Sequence, residues 1–124
     1  MKRVVITGMG IVSNIGNDLD TVTDNLKNGK SGIIFNQSYA DNGFKSCVSG
    51  SIDQKTLNTS AIDRKLKRFM SDASLYAYVS ALSAIDNAGL SLDDIADDVR
   101  VAVVAGAGGG RTAGGGDLSE KNKK

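Results

Sequence analysis

Two short apolar runs, one near each end of the chain, constrain the fold more than any other feature. Val4 to Thr7 is β-branched and closes on Gly8-Met9-Gly10, and Val99 to Ala105 is its counterpart, entering Gly106-Ala107-Gly108-Gly109-Gly110. Neither run sustains the apolar-polar alternation of a strand with one wet face, so both predict strands covered on both sides. The residues between them are largely helical in pattern. Strand, helices, strand is the order of a parallel sheet with right-handed crossovers, which makes the expected fold class α/β with mainly buried strands.

Within that frame, Asn17 has the character of an N-cap, with Asp20 three residues on. Leu19, Val22 and Leu26 share one helical face and Gly29 supplies the stop. Gly32 to Phe35 is long enough only for an edge strand or a loop. From Phe44 to Ile52 the alternation puts Phe44, Ser46 and Val48 on one face and Lys45 and Cys47 on the other, predicting a half-exposed strand. Between Ser60 and Met70 the period becomes helical, with Ile62, Leu66, Phe69 and Met70 opposite Arg64, Lys65 and Arg68; Lys67 falls at the margin of that cationic face. Ser71 then caps a second helix reaching Ala88, with Asp72 in its first turn and Gly89 past its end. Its apolar stripe is Leu75, Tyr78, Val79, Leu82 and Ile85. Alanines at 73, 77, 81, 84 and 88 with Ser80 and Ser83 keep its other sides small, so neighbouring backbone can approach closely. From Arg111 the text changes to RTAGGGDLSEKNKK, a glycine- and lysine-rich stretch that reads as a flexible tail after a unit spanning 1–110.

Composition removes several kinds of chemistry. There is no histidine, hence no Ser-His-Asp triad, no Cys-His dyad and no histidine-ligated metal, and one cysteine allows no internal disulfide. A net charge of +1 is unlike the basic excess of a nucleic-acid binder. No run approaches the ~18 apolar residues of a membrane span. The opening MKRVVITGMG is interrupted by Thr7, Gly8 and Gly10 and leads to no small-residue cleavage site, so it reads as a strand rather than a secretory signal, and a cytoplasmic location is expected.

The 15 glycines mark where special backbone is needed. Gly8-x-Gly10 invites a dinucleotide-binding reading, but Ser13 stands at the third fingerprint position and no acid-terminated second strand follows. A turn where chain and helix pack closely accounts for it better. The second cluster lacks the Lys-Ser/Thr pair of a phosphate loop. Asp93, Asp94, Asp97 and Asp98 lack the alternation and closing glutamate of a calcium loop. Cys47, with only Lys45 nearby, has no assured activating group. The exposed feature with a direction is the cationic face of Arg64, Lys65 and Arg68. Only Asp63 offsets the four cations of 63–68, so the local field suits an acidic partner, while a charge run of this kind is equally the solvated face of an amphipathic helix, and the pattern does not choose between the two.

Taken together, VVITGMGIVSNIG at 4–16, GKSGI at 29–33, IDRKLKRFMSDASLYA at 62–77 and VAVVAGAGGG at 101–110 resemble the N-terminal part of bacterial β-ketoacyl-acyl carrier protein synthases of type I, over residues 1 to about 110. The glycines at 108–110 look more like type I than type II, which usually carries a bulky residue near Gly109. The resemblance implies the start of a thiolase-like fold, layered αβαβα. It also implies an acyltransferase of fatty-acid elongation, which condenses an acyl group held on an enzyme cysteine with malonyl held on acyl carrier protein and releases carbon dioxide. In such enzymes the cysteine lies in a Ser-Ala-Cys-Ala-like motif and two histidines assist. Neither occurs here, and Cys47 falls in a segment that is not catalytic, so a truncated portion without activity of its own is expected.

The family's implications for sites are correspondingly few. Arg64, Lys65 and Arg68 match its docking surface for acidic acyl carrier protein, while Gly108 and Gly109 border its acyl pocket. No cofactor or metal is implied, nor any nucleic-acid or membrane partner. Intact relatives are homodimers, and the chain alone is expected to self-associate through uncovered apolar surface. Two other readings compete: an independently folded, non-catalytic carrier-binding module using the same face, and a small nucleotide-dependent enzyme built on the glycine turns.

Overall fold

A computed structural model describes residues 2–108. Its elements are helix α1 (Leu19–Lys27), strand β1 (Ile33–Phe35), helix α2 (Gln37–Asp41), strand β2 (Val48–Gly50), a single 3-10 turn (Gln54–Thr56), and helices α3 (Arg64–Lys67), α4 (Asp72–Asn87) and α5 (Leu92–Ile95).

Helix α4 organises the packing. The Ser71 side chain accepts from the Ser74 N–H at its start, Asp72 lies in its first turn, and Gly89 takes a left-handed φ of 68° just beyond its end. Leu75 and Val79, one turn apart on the same face, close with Leu57 and Ile62 into a core in which Val79 is only 4% exposed. Val12, Ile52, Met70, Tyr76 and Tyr78 pack around that core. The small-residue side of α4 receives the Gly8–Gly10 segment, which runs across it without the turn that its glycines suggested. A Cβ on Gly10 would overlap the Ser80 carbonyl and sit 2.8 Å from the Ala84 N, and one on Gly8 would overlap the Ala84 carbonyl and sit 2.7 Å from the Ala88 N. Backbone therefore lies directly on backbone, and the Met9 N–H adds a 3.0 Å bond to Asn87 Oδ1. This is the close chain-helix packing the sequence led us to expect of Gly8 and Gly10.

Helix α1 begins one residue later than its sequence suggests. Asp18 caps it by accepting the Thr21 N–H at 2.7 Å, and this bond holds the Asp18 carboxyl below the usual carboxylate value. Asn17 is drawn away as a tether, donating to the Asp53 carbonyl at 2.8 Å and Thr56 Oγ1 at 2.7 Å. Val22 is buried, whereas Leu26, expected on the same face, is exposed. The stop at Gly29 has the left-handed φ of 60° that its residue type allows.

The expected buried strands are corrected by the structure. Neither 4–7 nor 99–105 is paired: Val4 is 94% and Val104 97% exposed, because no partner strand lies beside either among the described residues. The ladder that does form is antiparallel and joins β1 to β2 with Ile33 opposite Gly50, Ile34 opposite Ser49 and Phe35 opposite Val48. It too is largely exposed. Of the strand expected over 44–52, only Val48–Gly50 pairs. Phe44 is instead turned back on α2, its N–H donating to the Tyr39 carbonyl and its ring 5.3 Å from that of Tyr39.

The two kinds of glycine separate cleanly by experiment. We predict that Gly10→Ala costs about 3 kcal/mol or more, since the clash is with backbone, whereas Gly29→Ala, with nothing within 4 Å of the added methyl, costs about 1 kcal/mol for its left-handed φ. Urea unfolding of both variants measures the difference.

Candidate functional site

The cationic segment is shorter and more tightly held than its period suggested. The expected helix over 60–70 is corrected to Arg64–Lys67, because both flanks are used otherwise. Before it, Ile62 is buried in the core and its N–H closes a turn on the Thr59 carbonyl. Asp63 is the cap, its carboxylate accepting the Lys65 N–H at 2.6 Å. After it, the Phe69 and Met70 N–H groups bond three residues back, to Leu66 and Lys67, and Ser71 is extended to start α4. Ile62 and Met70 thus pin the segment to the core from either side, while Leu66 and Phe69, placed by periodicity on the same apolar face, point outward, Phe69 being 89% exposed.

The result is a short helix strapped across the core with its cations exposed to solvent. Arg64, Lys65, Lys67 and Arg68 are exposed and together line a shallow open depression of about 490 Å³. Among the described residues none of the four makes an ion pair; the bridge that does form, Arg100 to Asp98 at 2.6 Å, is elsewhere. Asp63, the local acid, is engaged at the backbone. Lys67 Nζ donates to Thr59 Oγ1 at 3.1 Å. Like charges one helical turn apart repel by about 0.2–0.5 kcal/mol per pair, so an anionic surface laid over α3 relieves a cost the free chain bears. Lys67 belongs to this cluster as fully as the three cations singled out from sequence, and Thr59 had no sequence signal.

The other sequence candidates do not assemble with it. Gly108 is exposed, with nothing within 4 Å of where a Cβ would stand, and Gly109 lies outside the described residues, as does the tail from 111. Cys47 is half-buried, its thiol directed at the Phe44 carbonyl 3.5 Å away. Two of the four aspartates in the acidic run are engaged locally. Asp94 forms a reciprocal capping box with Ser91, whose side chain and N–H hold its carboxyl below the usual value, and the Arg100 side chain does the same for Asp98. No metal-holding group of acids, histidines or cysteines exists among the described residues, and no helix there is long and apolar enough to cross a membrane.

Comparison with known proteins supplies the context for this surface. The family model described as beta-ketoacyl synthase, N-terminal domain, matches residues 1–124. The chain is 51% identical over 110 residues to 3-oxoacyl-(acyl-carrier-protein) synthase 1 of Escherichia coli K12, an alignment covering 89% of this chain and 27% of that protein. It is 48% identical over 111 residues to the Haemophilus influenzae enzyme of the same name, covering 89% and 26%. To the chloroplastic synthase I of Arabidopsis thaliana it is 35% identical over 111 residues, covering 88% and 23%. The chain therefore spans about a quarter of the length of these relatives.

The cap makes the site testable at a single residue. Asp63→Ala is expected to lower hydrogen-exchange protection of the Lys65 amide about fivefold, and Asp63→Asn, which retains a capping oxygen, to leave it within about twofold of the parent.

Proposed function

Because the chain belongs to the beta-ketoacyl synthase N-terminal domain family, we propose that it forms the N-terminal portion of a 3-oxoacyl-acyl-carrier-protein synthase and provides the surface on which acidic acyl carrier protein docks. The observation that carries this reading is the cluster on α3: cations around one depression, pinned to the core, unpaired among the described residues and facing outward. Charge on the rim of an interface acts mainly by steering encounter and fixing orientation, which suits a partner that must bring a tethered substrate to the enzyme and leave again.

In this proposal the whole synthase performs a decarboxylating condensation. An acyl group held as a thioester on an enzyme cysteine is attacked by the carbanion that malonyl-carrier generates on losing carbon dioxide; the new carbon-carbon bond leaves a β-ketoacyl group on the carrier and returns the cysteine. The present chain supplies docking rather than this chemistry. It contains no histidine, and its single cysteine is directed at a backbone carbonyl. Gly108 and Gly109 border the acyl pocket of the proposed whole enzyme, whose layered αβαβα sheet takes in residues 4–7 and 99–105 as interior strands and whose assembly is a homodimer. The bare Val4, Val5, Ile6, Val103 and Val104 support that placement, since such surface is otherwise unfavourable in water.

A second reading, a non-catalytic binding module that folds by itself, is favoured by one observation. Ile62 and Met70, which pin α3, and the core residues Leu57, Leu75 and Val79 that hold them all lie within this chain. Both readings place the carrier on α3. Reversing all three charges, Arg64→Glu, Lys65→Glu and Arg68→Glu, is expected to weaken binding of acyl carrier protein at least tenfold at low salt, with the difference shrinking as the screening length falls. Titration of the chain with the carrier measures this; unchanged affinity would mean that α3 is not the docking face.

A further inference from the structure

The charge cluster on α3 contains one more cation than the docking face drawn from Arg64, Lys65 and Arg68. An α-helix turns about 100° per residue, so with Arg64 as origin Arg68 lies about 40° to one side and Lys65 about 100° to that side, while Lys67 lies about 60° to the other. Lys65 and Lys67 therefore flank the Arg64–Arg68 pair by the same step of about 60°. Leu66 occupies the remaining side and is not among the residues of the depression, which all four cations line. On this geometry Lys67 has as strong a place on the face as Lys65.

Lys67 differs from its neighbours in being held. Its Nζ donates a 3.1 Å hydrogen bond to Thr59 Oγ1, across the turn that leads from the core residue Leu57 to Ile62. An ammonium has three N–H donors, so this bond leaves two for a carboxylate. A side chain already placed also loses less rotamer freedom when a partner arrives. The bond sets the ammonium at the edge of α3 nearest the turn at 59, which widens the positive surface in that direction.

We infer that Lys67 is a fourth contact residue for acidic acyl carrier protein, with Thr59 as its positioning residue, so that the acidic surface of the carrier extends across α3 to the turn at Thr59. This rests on the docking reading above and adds to it a residue and a direction.

Titration of the full chain with acidic acyl carrier protein, at low and at high salt, tests it. Lys67→Gln is expected to weaken binding about three- to fivefold at low salt and less at high salt. Lys27→Gln, which removes a charge from the end of α1 instead, is the control for net charge and is expected to change affinity less than twofold. Thr59→Val, which removes the accepting hydroxyl, is expected to weaken binding about twofold, and Thr59→Ser, which keeps the hydroxyl and drops only the methyl, to bind like the parent. If Lys67→Gln binds like the parent, or no worse than Lys27→Gln, while the triple reversal of Arg64, Lys65 and Arg68 abolishes binding, this inference fails and the docking reading stands. If the triple reversal leaves binding intact, both fail. A Thr59→Val variant that binds like the parent, beside a weakened Lys67→Gln, removes Thr59 from the assignment.

Discussion

The contact between the Gly8–Gly10 segment and the small-residue side of α4 is the constraint from which the other positions follow. Gly8 and Gly10 lie so close to the backbone at Ser80, Ala84 and Ala88 that no side chain fits between them. That approach fixes one side of α4, and its opposite demand, burial of Leu75 and Val79, recruits Leu57 and Ile62 from the preceding segment. Interiors are dense enough that losing contact on either side is felt throughout so small a core. Once Ile62 and Met70 are committed inward, the residues between them have little choice but to arch over the core, and this is what presents the α3 cations together.

Surface electrostatics then follow from packing rather than from net charge. The chain is nearly neutral at +1, yet its charge is unevenly spread, and Asp63, the one acid inside the cluster, is engaged at a backbone amide. That carboxylate stands at the N-terminal end of α3, directed at the Lys65 amide, and among the described residues it makes no ion pair with the four cations that follow it. The remaining field is directional and short-ranged, effective within roughly 8–10 Å at ordinary ionic strength, which is the range over which an approaching acidic surface is oriented.

Much of this was readable from residue types. Ser71, Asp72 and Gly89 bracketed α4, and the run of alanines and serines foretold a helix that others lie against, because those signals are local. Asn17 misled, since an asparagine that looks like a cap is equally able to donate its amide to distant groups, here Asp53 and Thr56. The helix over 60–70 was overdrawn for a related reason: periodicity records which residues are apolar but not that Ile62 and Met70 are taken by one core while Leu66 and Phe69 are left outside it. The strands at 4–7 and 99–105 show the opposite limit. Their composition describes an environment covered on both faces, and a strand needs partners that composition does not supply. The α3 cations were legible as a stripe, whereas the Lys67 to Thr59 bond depends on a tertiary turn.

The central claim is that one core around α4 holds the α3 surface in place while the two apolar end segments remain unpaired. Residue-resolved hydrogen exchange of the chain under native conditions addresses it most directly. The account predicts that amides in the middle of α4, around Val79 and Leu82, are the most protected, and that Val4, Val5, Ile6, Val103 and Val104 exchange near the rate of an unstructured chain. Protection of those end-segment amides equal to that of α4 would mean that they pair in this chain, and would contradict the account.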